Sequence, residues 1–204
     1  LKSYYVDVVA HTTYKTKGVV IENITVGEAH CYLILFTEKL GLVRVLARSG
    51  REERSKLRYH IQPFSKGNFS LVRGKDVWRL VGASLQQNLY HEYIEYPFKI
   101  SILARYFSLL KRIVGFEENQ SELFTFLEEG ISFLKRSSDQ EAVENLEYLL
   151  VLRTLLMLGY VGEHKMLTSV LQPTPITPDT LRRISPLRRM VIVEINRALR
   201  ESQL

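Results

Sequence analysis

At 204 residues, 46% of them hydrophobic, the chain can bury one good core or two small ones. No apolar run approaches the roughly 20 residues of a membrane-spanning helix, and the single cysteine, Cys31, excludes an intramolecular disulfide and a cysteine-built zinc site. The net charge of +6 is one-sided: residues 1–86 hold 14 Lys and Arg against 7 Asp and Glu, whereas residues 87–204 hold 14 against 15.

A basic first half is the electrostatic footprint of a nucleic-acid partner. An anionic membrane is the competing partner, but it calls for a basic amphipathic helix, and this half does not read as helical. The opening LKSYYVDVVA lacks a charged region followed by an apolar stretch and a small-residue cleavage site, so no secretory signal is expected. Residues 1–13 read as an N-terminal extension of unknown role. With one cysteine and no leader, a reducing cytoplasm is the expected compartment.

Strands come first. YKTKGVVIEN (14–23) is rich in β-branched residues, and Gly18 is the expected point for a bulge or bend. HCYLILFT (30–37) sets Cys31, Leu33 and Leu35 against Tyr32, Ile34 and Phe36, so both its faces are apolar, as expected in a small closed barrel. GLVRVLA (41–47) follows a short turn. After it comes ARSGREERSKLR (47–58), in which Arg48, Arg51, Arg54, Lys56 and Arg58 crowd one polar connection. NFSLV (68–72) and VWRLVGASL (77–85) flank a turn at Arg73-Gly74-Lys75-Asp76. Five short strands with a long charged connection after the third predict an α+β protein that opens with a five-stranded OB-type β-barrel over 14–88; an SH3-like barrel is the alternative.

From about Tyr90 the period changes to three and four, through Ile100, Ala104, Phe107, Leu110 and Val114. Asn119 with Glu122, and Ser138 with Glu141, have capping-box spacing. Gly159 is a candidate C′ glycine, and Ser185-Pro186 offers an N-cap and N1 proline for a last helix to about Leu199. Residues 89–204 therefore read as an all-helical domain of four or five helices.

Catalytic chemistry is sparse. His11, His30, His60, His91 and His164 show no metal-ligand spacing, the four aspartates are far apart, and neither a phosphate loop nor a nucleophile elbow occurs. Cys31 reads as core filler. The chain is expected not to be an enzyme and to need no metal or cofactor. What remains is electrostatics on the barrel: Lys15 and Lys17 in the first strand, Arg44 in the third, Arg73, Lys75 and Arg79 around the last hairpin, and the five cations of the connector, all candidate nucleic-acid ligands, several of them expected on the same broad face as the connector. Tyr14, Tyr32, Tyr59, Phe69 and Trp78 are the aromatic residues at hand for stacking on bases.

The ordered set Tyr14-x-Thr16-x-Gly18-Val19-Val20-Ile21, Gly27-Glu28, Leu35-Phe36-Thr37-Glu38-Lys39-x-Gly41, Ala47-Arg48, Ser55-Lys56-Leu57 and Gln62-Pro63-Phe64 resembles the opening of the RecO recombination-mediator family. LRTLLMLGY (152–160) resembles that family's leucine-rich segment ending in Leu-Gly-Tyr. The resemblance covers roughly 14–90 and 145–160. It implies an OB fold that binds single- and double-stranded DNA, a helical domain, strand annealing and, with the partner RecR, loading of the RecA recombinase in the bacterial cytoplasm, at the nucleoid. It also implies that the helical domain receives the acidic, Phe-ended tail of the single-stranded DNA-binding protein. Lys99, Arg105, Lys111 and Arg112 are the candidates for that contact, with Arg182, Arg183, Arg188 and Arg189 a second cluster. Many relatives carry a four-cysteine zinc module after Leu-Gly-Tyr; VGEHKMLTSVLQPTPITP has no cysteine, so zinc is not expected. An RNA-binding OB module and a protein-binding adaptor with an incidentally basic barrel are the rival functions.

Overall fold

The computed structural model describes residues 12–50, 55, 57–162 and 164–201. The expected 1–13 extension therefore lies almost wholly outside the described residues, and Thr13 already belongs to the first strand. Five strands, β1 (Thr13–Val26), β2 (His30–Thr37), β3 (Gly41–Ala47), β4 (Ser65–Arg73) and β5 (Trp78–Asn88), close in the order β1-β2-β3-β5-β4. All neighbours are antiparallel except β3 and β5, which run parallel where Val45 meets Trp78 and Leu46 meets Arg79. The helices follow, so the class is α+β.

β1 is the strand that closes the sheet. Its first half pairs with β4 from Thr13 to Val19, its second half with β2 from Gly18 to Val26, and Gly18 pairs on both sides. The register shift expected at Gly18 falls instead between Val20 and Glu22. An extra residue there bends the strand between its two partners.

Inside the barrel lie Val20, Leu33, Leu35, Val43, Val45, Phe69, Leu71 and Trp78, with Cys31 among them as filler. The second apolar face of β2 has a different cause from the one expected. Ile34 and Phe36, with Val19 and Leu42, point outward and are buried in the core built by the helices. A closed barrel needs only one apolar face; the other is apolar here because helices cover it.

Those helices are α1 (Leu89–Glu92), α2 (Pro97–Ile113), α3 (Ser121–Arg136), α4 (Gln140–Met157), α5 (Thr168–Leu171), α6 (Pro178–Arg182) and α7 (Arg188–Glu201). α4 packs against α2, α3, α5, α6 and α7, which is why EYLLVLRTLLM is apolar nearly all round. Phe124 of α3 meets Phe36 of β2 with ring centroids 5.7 Å apart, Lys66 of β4 pairs with Glu128 at 2.6 Å, and Lys111 of α2 pairs with Glu22 at 2.9 Å. Gly41 has φ +64, and a Cβ there would sit 1.8 Å from Glu118 O. The α2–α3 connection thus lies directly on the β2–β3 turn, and only glycine fits beneath it.

The helix ends differ in detail from expectation. α4 is capped by Asp139, whose carboxylate accepts from Glu141 N (3.0 Å) and Ala142 N (3.2 Å), and not by Ser138. Asn119 Oδ1 accepts from Ser121 N, as a turn rather than a capping box. Gly159 is the C′ glycine of α4: its N–H donates to Leu156 O and the next N–H, of Tyr160, donates to Leu155 O, a Schellman closure. Ser185-Pro186 forms a 3-10 turn, and α7 starts only at Arg188.

Candidate nucleic-acid interface

The helices cover one end of the outer β2–β3 surface and leave the other open. Side chains alternate along a strand, so outward positions recur every second residue. On β3 these are Leu42, Arg44 and Leu46, with Arg48 next in line just past the strand. On β2 they are Phe36, Ile34 and Tyr32. Phe36, Ile34 and Leu42 are buried under α3 and its neighbours, whereas Arg44 and Arg48 are exposed and Tyr32 is half-buried. The Arg44 guanidinium lies 5.3 Å from the centroid of the Tyr32 ring, and Arg79, outward on β5, pairs with Leu46. The open face of β2–β3–β5 therefore carries Tyr32, Arg44, Arg48 and Arg79. Arg44 and Arg48 stand roughly 13 Å apart at the usual strand rise, about four phosphates of one duplex strand.

Lys15 and Lys17 are exposed on β1, across β4 from Arg79. Lys17 Nζ is 3.7 Å from Glu38. Arg73 and Lys75 sit with the β4–β5 turn at the end of the barrel where β1 begins, because Thr13 pairs with Val72. The connector leaves from the opposite end, where Ala47 pairs with Cys31 and Ser65 with Asn88. The broad face expected to gather several of these cations with the connector thus divides in two, since the hairpin and the connector join opposite strand ends. Arg73 is further committed, paired with Glu117 and lying 5.1 Å from the Trp78 ring centroid. Among the described residues Lys15, Arg44, Arg48, Arg58, Lys75 and Arg79 make no ion pair. Arg51, Arg54 and Lys56 lie outside the described residues; Arg58 is exposed in the connector beside Tyr59, 72% exposed.

The proposed aromatic residues sort by burial. Phe69 (2% exposed) and Trp78 (6%) belong to the barrel interior, which removes both as stacking surfaces. Tyr14 packs edge-on against Trp78, its ring 5.2 Å away. Tyr14, 42% exposed, Tyr32 and Tyr59 remain.

Two histidines emerge as parts of the site. His30 Nδ1 accepts from Ser49 N at 3.0 Å, and His60 Nδ1 accepts from Leu85 N at 2.9 Å. Each therefore carries its proton on Nε2. With Asn23 Nδ2 donating to Ile61 O at 2.9 Å, they hold both ends of the basic connector to the barrel. Partners 19 and 25 residues apart leave no local signal in the sequence.

On the helices, Lys99 is only 4% exposed: its ammonium donates to Leu134 O at 2.7 Å, with the Tyr96 and Tyr93 rings 4.7 and 5.4 Å away. Burial lowers its pKa, against the opposing pull of Glu92. It closes the end of α3 and is not available to a partner. Lys111 is tied to Glu22, and Arg105 is held by both carboxylate oxygens of Glu147 at 2.6 Å. Arg112 is exposed with no ion pair among the described residues. Arg105 and Arg112 edge a cleft of about 370 Å³ between α2, α4 and α7, floored by Leu109, Val151, Ile192 and Ile195. In the second cluster, Arg183 pairs with Asp179 and Arg188 with Glu141 and Glu144, while Arg182 and Arg189 are exposed. No group of three or more His, Cys, Asp or Glu suited to a metal occurs among the described residues, and no described helix is long and apolar enough to cross a membrane.

Residues 11–88 match the family model described as Recombination protein O N terminal. The chain is 28% identical over 155 residues to the DNA repair protein RecO of Alkaliphilus metalliredigens, covering 76% of this chain and 61% of that protein. It is 26% identical over 141 residues to the DNA repair protein RecO of a Synechococcus species (64% and 49%) and 32% identical over 93 residues to that of Dehalococcoides mccartyi (46% and 36%). The alignments span between about a third and three fifths of the length of these curated relatives.

Proposed function

This chain belongs to the RecO family, and we propose that it is a DNA repair and recombination mediator that binds single- and double-stranded DNA on its barrel and anneals complementary strands. The barrel is read as OB-type, from a closed order β1-β2-β3-β5-β4 with β3 parallel to β5. The observation that carries the reading is the open β2–β3–β5 face, where Arg44 stacked on Tyr32 stands with Arg48 and Arg79, none of them neutralised by a described carboxylate.

Such a face binds in two ways. Guanidinium groups replace counterions along the phosphates, a contribution indifferent to sequence and steeply weakened by salt. An aromatic ring offers a base a stacking surface, also indifferent to sequence. Annealing follows from the first: cations that screen two strands at once lower their mutual repulsion, and pairing proceeds while both are held. No bond is made or broken, so neither catalytic group nor cofactor enters. Working with RecR to load RecA is the place this activity takes in recombination. The acidic, Phe-ended tail of the single-stranded DNA-binding protein is assigned to the α2–α4–α7 cleft, its apolar end on Leu109 and Ile195 and its carboxylates toward Arg112. The site of action is the bacterial cytoplasm, at the nucleoid.

The test is annealing of two labelled complementary oligonucleotides with and without the protein across a salt series. Acceleration that fades with salt is expected; no acceleration at low salt removes the proposal. Competition between RNA and DNA of equal length separates a mediator of DNA pairing from an RNA-binding module.

A further inference from the structure

A second surface has the opposite electrostatic character. Between α3, α4 and the segment 171–175 lies a groove of about 490 Å³, within the size range of ligand and side-chain pockets. Its floor is apolar: Phe126, Leu156, Leu171 and Met157, the last 41% exposed. Glu122 and Glu129, both exposed, edge it from α3. They are seven residues apart with Phe126 between them, so the three share one helix stripe, the carboxylates roughly 10 Å apart along the axis. Neither glutamate forms an ion pair among the described residues.

Among the described residues the one cation lining this groove, Arg153, is 4% exposed and faces inward. Its guanidinium donates to Val170 O (2.9 Å), Thr174 O (2.6 Å) and Thr174 Oγ1 (2.9 Å), which ties the 171–175 wall to α4. The wall is thereby preorganised, and the Arg153 guanidinium is spent on those acceptors, with the Phe126 ring centroid 5.8 Å away and Glu129 within electrostatic reach. On a protein of net charge +6, this apolar groove edged by two exposed carboxylates disfavours both DNA and an acidic peptide tail. Past Leu156 and Leu171 the floor continues to Lys165, so cations of an occupant belong at the α3 end.

We propose that this groove docks a basic amphipathic segment of a protein partner, with a large apolar side chain over Phe126 and Met157 and Lys or Arg beside Glu122 and Glu129. The site is distinct from the barrel face and from the α2–α4–α7 cleft, and it stands whether or not the barrel anneals DNA.

The chain has three methionines, Met157, Met166 and Met190; Met157 lines the groove and Met190 is on α7. Full-length protein labelled with methyl-13C methionine is titrated with a short peptide in which Lys-Arg pairs flank a Phe-Leu-Leu core, and with its twin carrying Glu in place of Lys and Arg. Expected are a saturable shift of the Met157 methyl with the basic peptide, a still Met190, and no response to the acidic twin. E122K with E129K weakens the basic peptide by at least about tenfold and admits the acidic one. E122Q with E129Q, which puts no lysine in the first turn of α3, gives an intermediate loss. A silent Met157, equal response to both peptides, or unchanged affinity in folded Lys and Gln variants would each overturn the proposal.

Discussion

Replacing Arg44, Arg48 and Arg79 together by Gln removes three positive charges from the open β2–β3–β5 face while keeping side-chain length and polarity. All three are exposed and make no ion pair among the described residues, so the barrel interior is untouched and no described carboxylate is orphaned. Each cation that neutralises a phosphate contributes about 0.7 to the slope of log K against log salt on a single strand. Three contacts therefore contribute about 2 to the slope. Over the decade from roughly 1 M down to 0.1 M salt the variant falls behind the parent by about a hundredfold, and the two converge at high salt. Fluorescence anisotropy of a labelled oligo-dT across a KCl series measures both slopes, with circular dichroism and thermal unfolding to verify the fold. Tyr32→Ala is the complementary variant: loss of one stacked base costs about 1–3 kcal/mol at every salt concentration and leaves the slope alone. A folded triple variant with an unchanged slope refutes the assignment of this face. In that event the same replacements at Arg51, Arg54, Lys56 and Arg58 would carry the slope, and the connector alone would hold the DNA.

Three further outcomes test the architecture. Gly41→Ala meets a left-handed backbone and Glu118 O at once; a loss of at least about 2 kcal/mol by denaturant titration is expected, and a near-neutral effect would mean that the α2–α3 connection does not rest on this turn. Phe124→Ala empties the contact with Phe36 and should cost about 3–5 kcal/mol; separate unfolding of barrel and helices in the parent protein would contradict the shared core. The Glu194 carboxyl is held below its ordinary value of 4.5 by its hydrogen bond from Arg197, against the opposing effect of burial. A depressed carboxyl contributes stability that is complete above that value and is lost as pH falls through the folded pKa. E194Q should therefore flatten the acid limb of stability below about pH 4.5, and an identical limb in both proteins would show that this pair does not set it.

Much of this molecule is legible without coordinates because its signals are local. The alternation in HCYLILFT and GLVRVLA, the change to a three-and-four period after Tyr90, and Gly159 ending a leucine-rich helix each depend on neighbours within a turn or a strand. Boundaries erred by a few residues where the chain had more partners than its composition announces: β1 runs on to Val26 because β2 pairs with its second half. The cap of α4 moved from Ser138 to Asp139, since both residues can cap and only the path of the chain selects between them.

Side-chain commitments are another matter. Lys99 reads as one more cation on an amphipathic helix, yet a carbonyl 35 residues away and two aromatic rings take it inside. Glu122 reads in the sequence as half of a capping box and Glu129 carries no signal there; α4 and the 171–175 segment place an apolar floor beside both.

By itself the sequence determined the class, the order of strands and helices, the basic bias of the first half and the resemblance to the RecO proteins, because period, turn chemistry and charge are properties of short stretches. Only the tertiary structure decided which strands adjoin, and with that three further matters. The second apolar face of β2 serves the helices. The barrel cations divide between two ends. A free Arg44–Tyr32 platform remains open while Arg73 is already paired. Those outcomes depend on contacts between residues tens of positions apart, and a side chain's charge or ring is the same in the sequence whether the fold spends it on the protein or leaves it to a ligand.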